Sequence, residues 1–225
     1  PITAHAARKK KQAIVGLSHQ ASLLFDETPK VKNRAGAMIL KHYAPTQQAF
    51  GFHFEQYHQS IFLPIIRDKI RHLQPKEEDY NLVYLPSYHP LTLINCLSSI
   101  KDSNWKVFSS FNQEVRKIYN VELYPIDERL FSKALENCTG VLCGAGFELP
   151  AEALFLKKKL FVIPIKGQYE QLCNCEALKK MGVKYAYDLD QEQLQLWVDS
   201  NHVVHRDYPD NTEMVLTSIL EQVKV

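Results

Sequence analysis

The sequence predicts an α/β protein: a Rossmann-like parallel sheet with helices on both faces, joined to the tail of a second α/β domain. From about residue 80 onward, short β-rich runs alternate regularly with segments of helical periodicity. Such a rhythm puts a long crossover between successive strands, and crossovers of that length make the strands parallel. Residues 1–60 differ in kind, with one βα step of their own. Pro64, Pro75 and the charged run Lys76 to Asp79 then separate the two regions and read as a linker.

In chain order, Thr3 to Lys11 reads as the end of a helix that feeds a strand at Ala13 to Leu17. A polar loop, Ser18 to Lys32, precedes a helix near Arg34 to His42 and an aromatic segment, Phe50 to Tyr57. The strands of the second region are expected at Leu82 to Leu85, Lys106 to Ser110, Val121 to Tyr124, Gly140 to Cys143, Leu160 to Ile165 and Val183 to Tyr187. Helices are expected between them at Leu91 to Ile100, Asn112 to Tyr119, Glu128 to Asn137, Leu149 to Lys158, Tyr169 to Met181 and Gln191 to Ser200. A last helix, Thr212 to Val225, has Asp210 or Asn211 as its N-cap. The chain begins at Pro1 and runs straight into a helix end, which reads as a segment of a longer protein.

The bulk numbers exclude several classes. A length of 225 residues with 45% hydrophobic content suits a globular chain. With 27 basic and 25 acidic residues the net charge is +2, so no single-signed field points to nucleic acid. The five cysteines (Cys96, Cys138, Cys143, Cys173, Cys175) are odd in number and sit mostly in apolar runs, which reads as reduced thiols of a cytoplasmic protein. Cys173 and Cys175 would point in different directions from a helix, and no second pair accompanies them, so no metal is expected. No apolar run approaches the roughly 18 residues that a membrane span needs, and no stretch of these residues reads as a signal peptide. Lys9 to Lys11 and Lys157 to Lys159 allow a peripheral contact with anionic lipid, although each also suits the cation-favouring end of a helix.

The chemistry concentrates between Cys143 and Asn174. Gly144 and Gly146 fall in the turn between a strand and a helix, where a missing side chain lets another group approach the backbone. Free amides and the positive end of the helix dipole make that turn a site for a diphosphate held without a metal. Leu149 stands where the third glycine of GxGxxG belongs and no GK[ST] occurs, so neither the dinucleotide nor the Walker fingerprint applies. Glu152, one helical turn further on, can accept hydrogen bonds from a ribose diol. Glu148 suits the helix dipole, but beside a phosphate it would repel and is expected to point aside. After the next strand, Gln168, Glu170, Gln171 and Asn174 offer hydrogen-bonding groups for hydroxyls, and an ordinary amphipathic helix start would look the same.

The run GAGFELPAEALFLKKKLFVIPIKGQYEQLCN resembles the nucleotide-sugar signature of the GT-B glycosyltransferases, in particular the MurG-like and UDP-glycosyltransferase-like proteins. Gly146, Glu152, Pro164, Glu170 with Gln171, and Asn174 fall on its pattern. The resemblance implies that amides around Gly146 and Phe147 hold a diphosphate, Glu152 a ribose, and Glu170 with Gln171 the donor sugar. Gly144 and Leu149 replace side chains that touch phosphate in many relatives, which leaves the backbone contacts. GLSHQASLL with KNRAGAMILK resembles the HEQN loop and following helix of MurG-like enzymes, which would put His19 and Gln20 near the acceptor.

On that reading, residues 1–60 are the remnant of an N-terminal acceptor domain and 61–80 an inter-domain linker. Residues 81–205 form the donor domain, and 206–225 a helix returning to the first domain. The implied activity is transfer of a sugar, with inversion, from a nucleoside diphosphate sugar, uridine being the base, to an unidentified acceptor; the chain alone is expected to be inactive and to need no cofactor. The rival readings are a nucleotide-sugar 2-epimerase on the same architecture and a non-catalytic donor-binding subunit of a split transferase.

Overall fold

The computed structural model describes residues 2–222. The first lobe comprises α1 (Ile2–Lys9), β1 (Val15–Ser18), α2 (His19–Ser22), α3 (Arg34–Tyr43), β2 (Gln48–Phe52) and β3 (Ile61–Phe62). After α4 (Asp68–Arg71) the second lobe runs β4 (Asn81–Tyr84), α5 (Pro90–Leu97), β5 (Trp105–Phe108), β6 (Arg116–Ile118), β7 (Val121–Tyr124), α6 (Glu128–Asn137), β8 (Gly140–Cys143), α7 (Glu148–Phe155), β9 (Lys159–Val162), α8 (Tyr169–Lys180), β10 (Lys184–Tyr185) and α9 (Gln191–Asp199). The chain closes with α10 (Thr212–Gln222), and residues 223–225 of the expected last helix lie outside the described residues.

Local chemistry explains the helix starts. The side chains of Asn33, Asp127 and Asp190 accept from Gly36, Leu130 and Gln193 amides at 3.0, 2.8 and 3.0 Å, each satisfying a free donor of the first turn. Ser18 does the same for α2, accepting from the Ala21 amide at 3.2 Å, which turns part of the expected Ser18 to Lys32 loop into a helical turn.

The second lobe is a seven-stranded sheet of order β10-β9-β8-β4-β5-β7-β6, parallel throughout except that β6 runs against β7. Leaving β6 aside, the strands stand in the Rossmann order 3-2-1-4-5-6. Successive strand residues face opposite sides, and each side has its own core. Leu82, Val141, Leu160 and Val162 pack with Leu135, Leu154 and Leu178 of α6, α7 and α8. Val83, Val107, Leu142 and Phe161 pack with Leu93, Leu97, Leu194 and Trp197 of α5 and α9.

One expected helix is absent. Residues 112–119 form a loop and then β6, whose Ile118 pairs with Val121 across the two-residue turn Tyr119–Asn120. Tyr119 takes a left-handed φ of 56°, and the Asn120 side chain holds the turn by donating to the Ser103 carbonyl at 2.8 Å. The spaced apolar residues Val115 and Ile118 mimic a helix, but the turn decides for a hairpin.

The first lobe is a three-stranded parallel sheet, β1-β2-β3. Its third strand, Ile61–Phe62, lies inside the stretch read from sequence as a linker. The α10 helix lays Val215 and Ile219 on Phe50 and Phe62 of this sheet, so the chain end returns to the first lobe. On the way, the Tyr208 hydroxyl donates to the Phe54 carbonyl at 3.2 Å and Arg206 pairs with Glu55 at 2.9 Å.

Candidate functional site

The strand order reverses direction between β4 and β8, and there the connections diverge to leave a crevice at the carboxyl ends of the strands. A cleft of about 620 Å³ occupies it. Its walls are the segment after β4 (Leu85, Pro86, Ser87), the start of α6 (Ile126, Asp127, Phe131), the turn after β8 (Gly144, Gly146, Phe147) and Ile165 with Gln171 after β9. His19 and Arg67 reach it from outside the large sheet.

The glycine turn opens α7 as the spacing of Gly144 and Gly146 implied. No side chain caps α7 at Phe147 or α8 at Gln168, whereas Asn33, Asp127 and Asp190 cap α3, α6 and α9. The start of α7 lines the cleft through Gly146, Phe147, Glu148 and Leu149, and that of α8 through Glu170 and Gln171, so the positive dipole ends of both helices border it. A Cβ at Gly146 would meet no atom beyond its chain neighbours within 4 Å. Gly144 has another role, since a Cβ there would lie 3.3 Å from Gln171 Oε1, which accepts from the Ile165 amide at 2.9 Å. Gln171 thus braces the end of β9 against the glycine turn.

Glu152 is buried and fully engaged. Arg67 forks onto it, Nε to Oε1 at 2.6 Å and Nη2 to Oε2 at 2.9 Å. That contact, together with the nearby charge of Glu148, holds the Arg67 guanidinium above its already high range, against a smaller pull from burial. Arg67 is the residue that sequence reading missed. Its one visible signal is a lone cation closing the apolar run Ile61 to Ile66.

The other predicted groups divide. Glu170 and Asn174 are one helical turn apart on α8 and both turn toward the first lobe. Glu170 accepts from Gln20 Nε2 at 2.7 Å, and Asn174, wholly buried, lies 3.0 Å from His19 Nε2 and donates to the Ala145 carbonyl at 3.1 Å. Phe147 stacks on the His19 ring, 4.0 Å between centroids and 7° from parallel. Gln168 is exposed at the start of α8 and, with Asn174, stands off the cleft lining. Gly36 of α3 packs against the Tyr169 ring so closely that a Cβ would come within 2.5 Å. The first lobe therefore sits directly on the start of α8.

Most acids around the cleft are already occupied. Asp127 caps α6, Glu128 pairs with Lys69, Glu152 with Arg67, and Glu170 bonds Gln20. Glu148 is exposed at the rim. The cysteines are free thiols, and among the described residues no group of three metal-ligating side chains occurs and no helix is long and apolar enough to cross a membrane.

The chain is similar in fold to MurG of Acinetobacter baumannii (16% identity over 87% of this chain and 59% of that one, TM-score 0.52). It is similar to the kitacinnamycin glycotransferase to the same degree (14% identity over 86% and 63%, TM-score 0.52). It spans about three-fifths of the length of each. No curated protein sequence matches it. The family model described as glycosyl transferase family 1 matches residues 9–200, and the chain, an α/β protein of GT-B fold, belongs to that family.

Proposed function

We propose that the protein transfers a sugar from a nucleoside diphosphate sugar, and that the cleft between β4 and β8 holds the donor. One observation carries the reading: the uncapped start of α7 opens on free space at Gly146. Amides fixed there bind a diphosphate without a metal and stabilise the charge that gathers on it as the glycosidic bond breaks. We place the nucleobase toward the apolar side chains of Ile126 and Phe131 and assign it as uracil from the family resemblance. Glu152 reaches a ribose only together with Arg67, so the pair is the recognition unit. The acceptor and the base that deprotonates it lie beyond the groups assigned here, and the described segment is expected to bind donor without turning it over.

Gly146→Val tests the site, because a Cβ there has open space and the backbone is outside the left-handed region. Calorimetric titration with uridine, thymidine and guanosine diphosphates should give saturable binding, strongest for uridine and at least about tenfold weaker in the variant at unchanged melting temperature. Absence of binding by any of them, or equal binding by Gly146→Val, removes the donor site from this cleft.

A further inference from the structure

Four groups line up across the junction of the lobes. The Phe52 carbonyl lies 2.8 Å from His19 Nδ1, His19 Nε2 lies 3.0 Å from Asn174 Oδ1, and Asn174 Nδ2 donates to the Ala145 carbonyl at 3.1 Å. Both ends of this row are carbonyls, which only accept. If His19 is neutral with its proton on Nδ1, its Nε2 lone pair faces the Asn174 oxygen. Turning the carboxamide over places that oxygen against Ala145 instead, and moving the proton to Nε2 leaves a lone pair facing Phe52. Every neutral arrangement contains one contact between two acceptors. Only the imidazolium makes all three contacts hydrogen bonds.

We propose that His19 is a positioning residue that works as the imidazolium: an anionic donor entering the cleft brings in its second proton, which completes the row and ties the first lobe to the donor turn. The proposal rests on the donor-site reading above. Its geometric force lies in what the row holds. Asn174 fixes the Ala145 carbonyl between the two turn glycines, and the His19 ring lies flat on Phe147, the first residue of the bare helix start. A cation stacked on that ring gains a further attraction.

The surroundings poise the ring for such a change. Burial pushes His19 below the usual imidazole range, while the Phe52 carbonyl, Glu170 and Asn174 pull it back up. From α8, Glu170 Oε1 lies 3.8 Å from Nε2. From the end of β2, His53 lies 5.3 Å away, and burial keeps it uncharged by pushing it down to about 3. Glu148 and Glu152 of α7, and Arg67 paired to Glu152, share a small cavity with His19. With burial and these neighbours pulling in opposite directions, one more charge decides the second proton, and a diphosphate supplies it.

The test is a proton count. Uridine diphosphate glucose is the probe, because both its phosphates are diesters and take up no proton of their own near neutrality. Calorimetric titration at about pH 7 in buffers of different ionisation enthalpy should show net uptake of up to one proton on binding. Affinity should tighten by up to about tenfold per pH unit as the pH falls toward 6. His19→Gln should bind with no proton uptake. Asn174→Asp, which sets a carboxylate against Nε2 and gives up the bond to the Ala145 carbonyl, should hold the second proton beforehand and bind more weakly with no proton uptake, and it serves if His19→Gln does not fold. Binding without proton uptake by the unaltered protein overturns the proposal and leaves the donor site standing. Failure to bind at all takes down the donor site, and the proposal with it.

Discussion

At the scale of single residues, the junction between the lobes is polar where a core would be apolar. His53 shows the cost. It is wholly buried, its Nδ1 accepts from the Phe54 amide at 2.9 Å, and its Nε2 has no partner among the described residues. Burial pushes it down to about 3 from an ordinary value of 6.5, so the unfolded chain takes the proton first. A depressed histidine costs nothing above pH 6.5 and lowers stability as the pH falls from there toward its folded value. Urea unfolding at about pH 7, 6 and 5 should show stability falling below 6.5 by about 1 kcal/mol per pH unit, and His53→Gln should flatten the slope. His19, also depressed by burial, contributes in the same direction. The glycine turn was legible at this scale, because Gly144, Gly146 and the following apolar period fix a strand, a turn and a helix. The engagement of Glu152, Glu170 and Asn174 was not, since Arg67, Gln20 and His19 come from 85, 150 and 155 residues away and no local pattern records them.

At the scale of elements, periodicity located every strand of the large sheet except β6. That exception is instructive: Arg116 to Ile118 is short and charged, and its pairing depends on Tyr119 accepting a left-handed backbone, a choice made by tertiary contacts of Asn120 and not by propensity. The small helix α2 is seated on β2 by a glycine. A Cβ at Gly51 would come within 2.6 Å of Ser22 Cα, and backbone cannot swing aside as a side-chain tip can. Gly51→Ala should therefore cost about 2 kcal/mol in urea unfolding without changing the denaturant slope. A smaller loss would mean that α2 can slide on its strand, and with it His19.

On the scale of the whole molecule, the two lobes share their chain ends. The α10 helix leaves the large sheet and covers the small one, where Val215 and Ile219 bury themselves against Phe50 and Phe62. The opposite face of β2 is covered by α2, so α10 is the cover of one face. Ile219→Ala should destabilise the protein by about 2 kcal/mol, with limited proteolysis attacking the first lobe before the second. Undiminished resistance of the first lobe would show that α10 is not its support.

The sheet edges differ in a way that bears on how the protein behaves in crowded solution. The large sheet ends on one side in β6, whose exposed Arg116 and Lys117 repel an incoming strand, and on the other in β10, only two residues long. Both edges are blunt. The β1 edge of the small sheet is neither short nor charged: Val15–Ser18 pairs on one side with β2 and, among the described residues, offers its other row of amides and carbonyls unpaired, with Leu17 exposed. An added strand would find its template there, which makes β1 the edge of this segment most open to self-association.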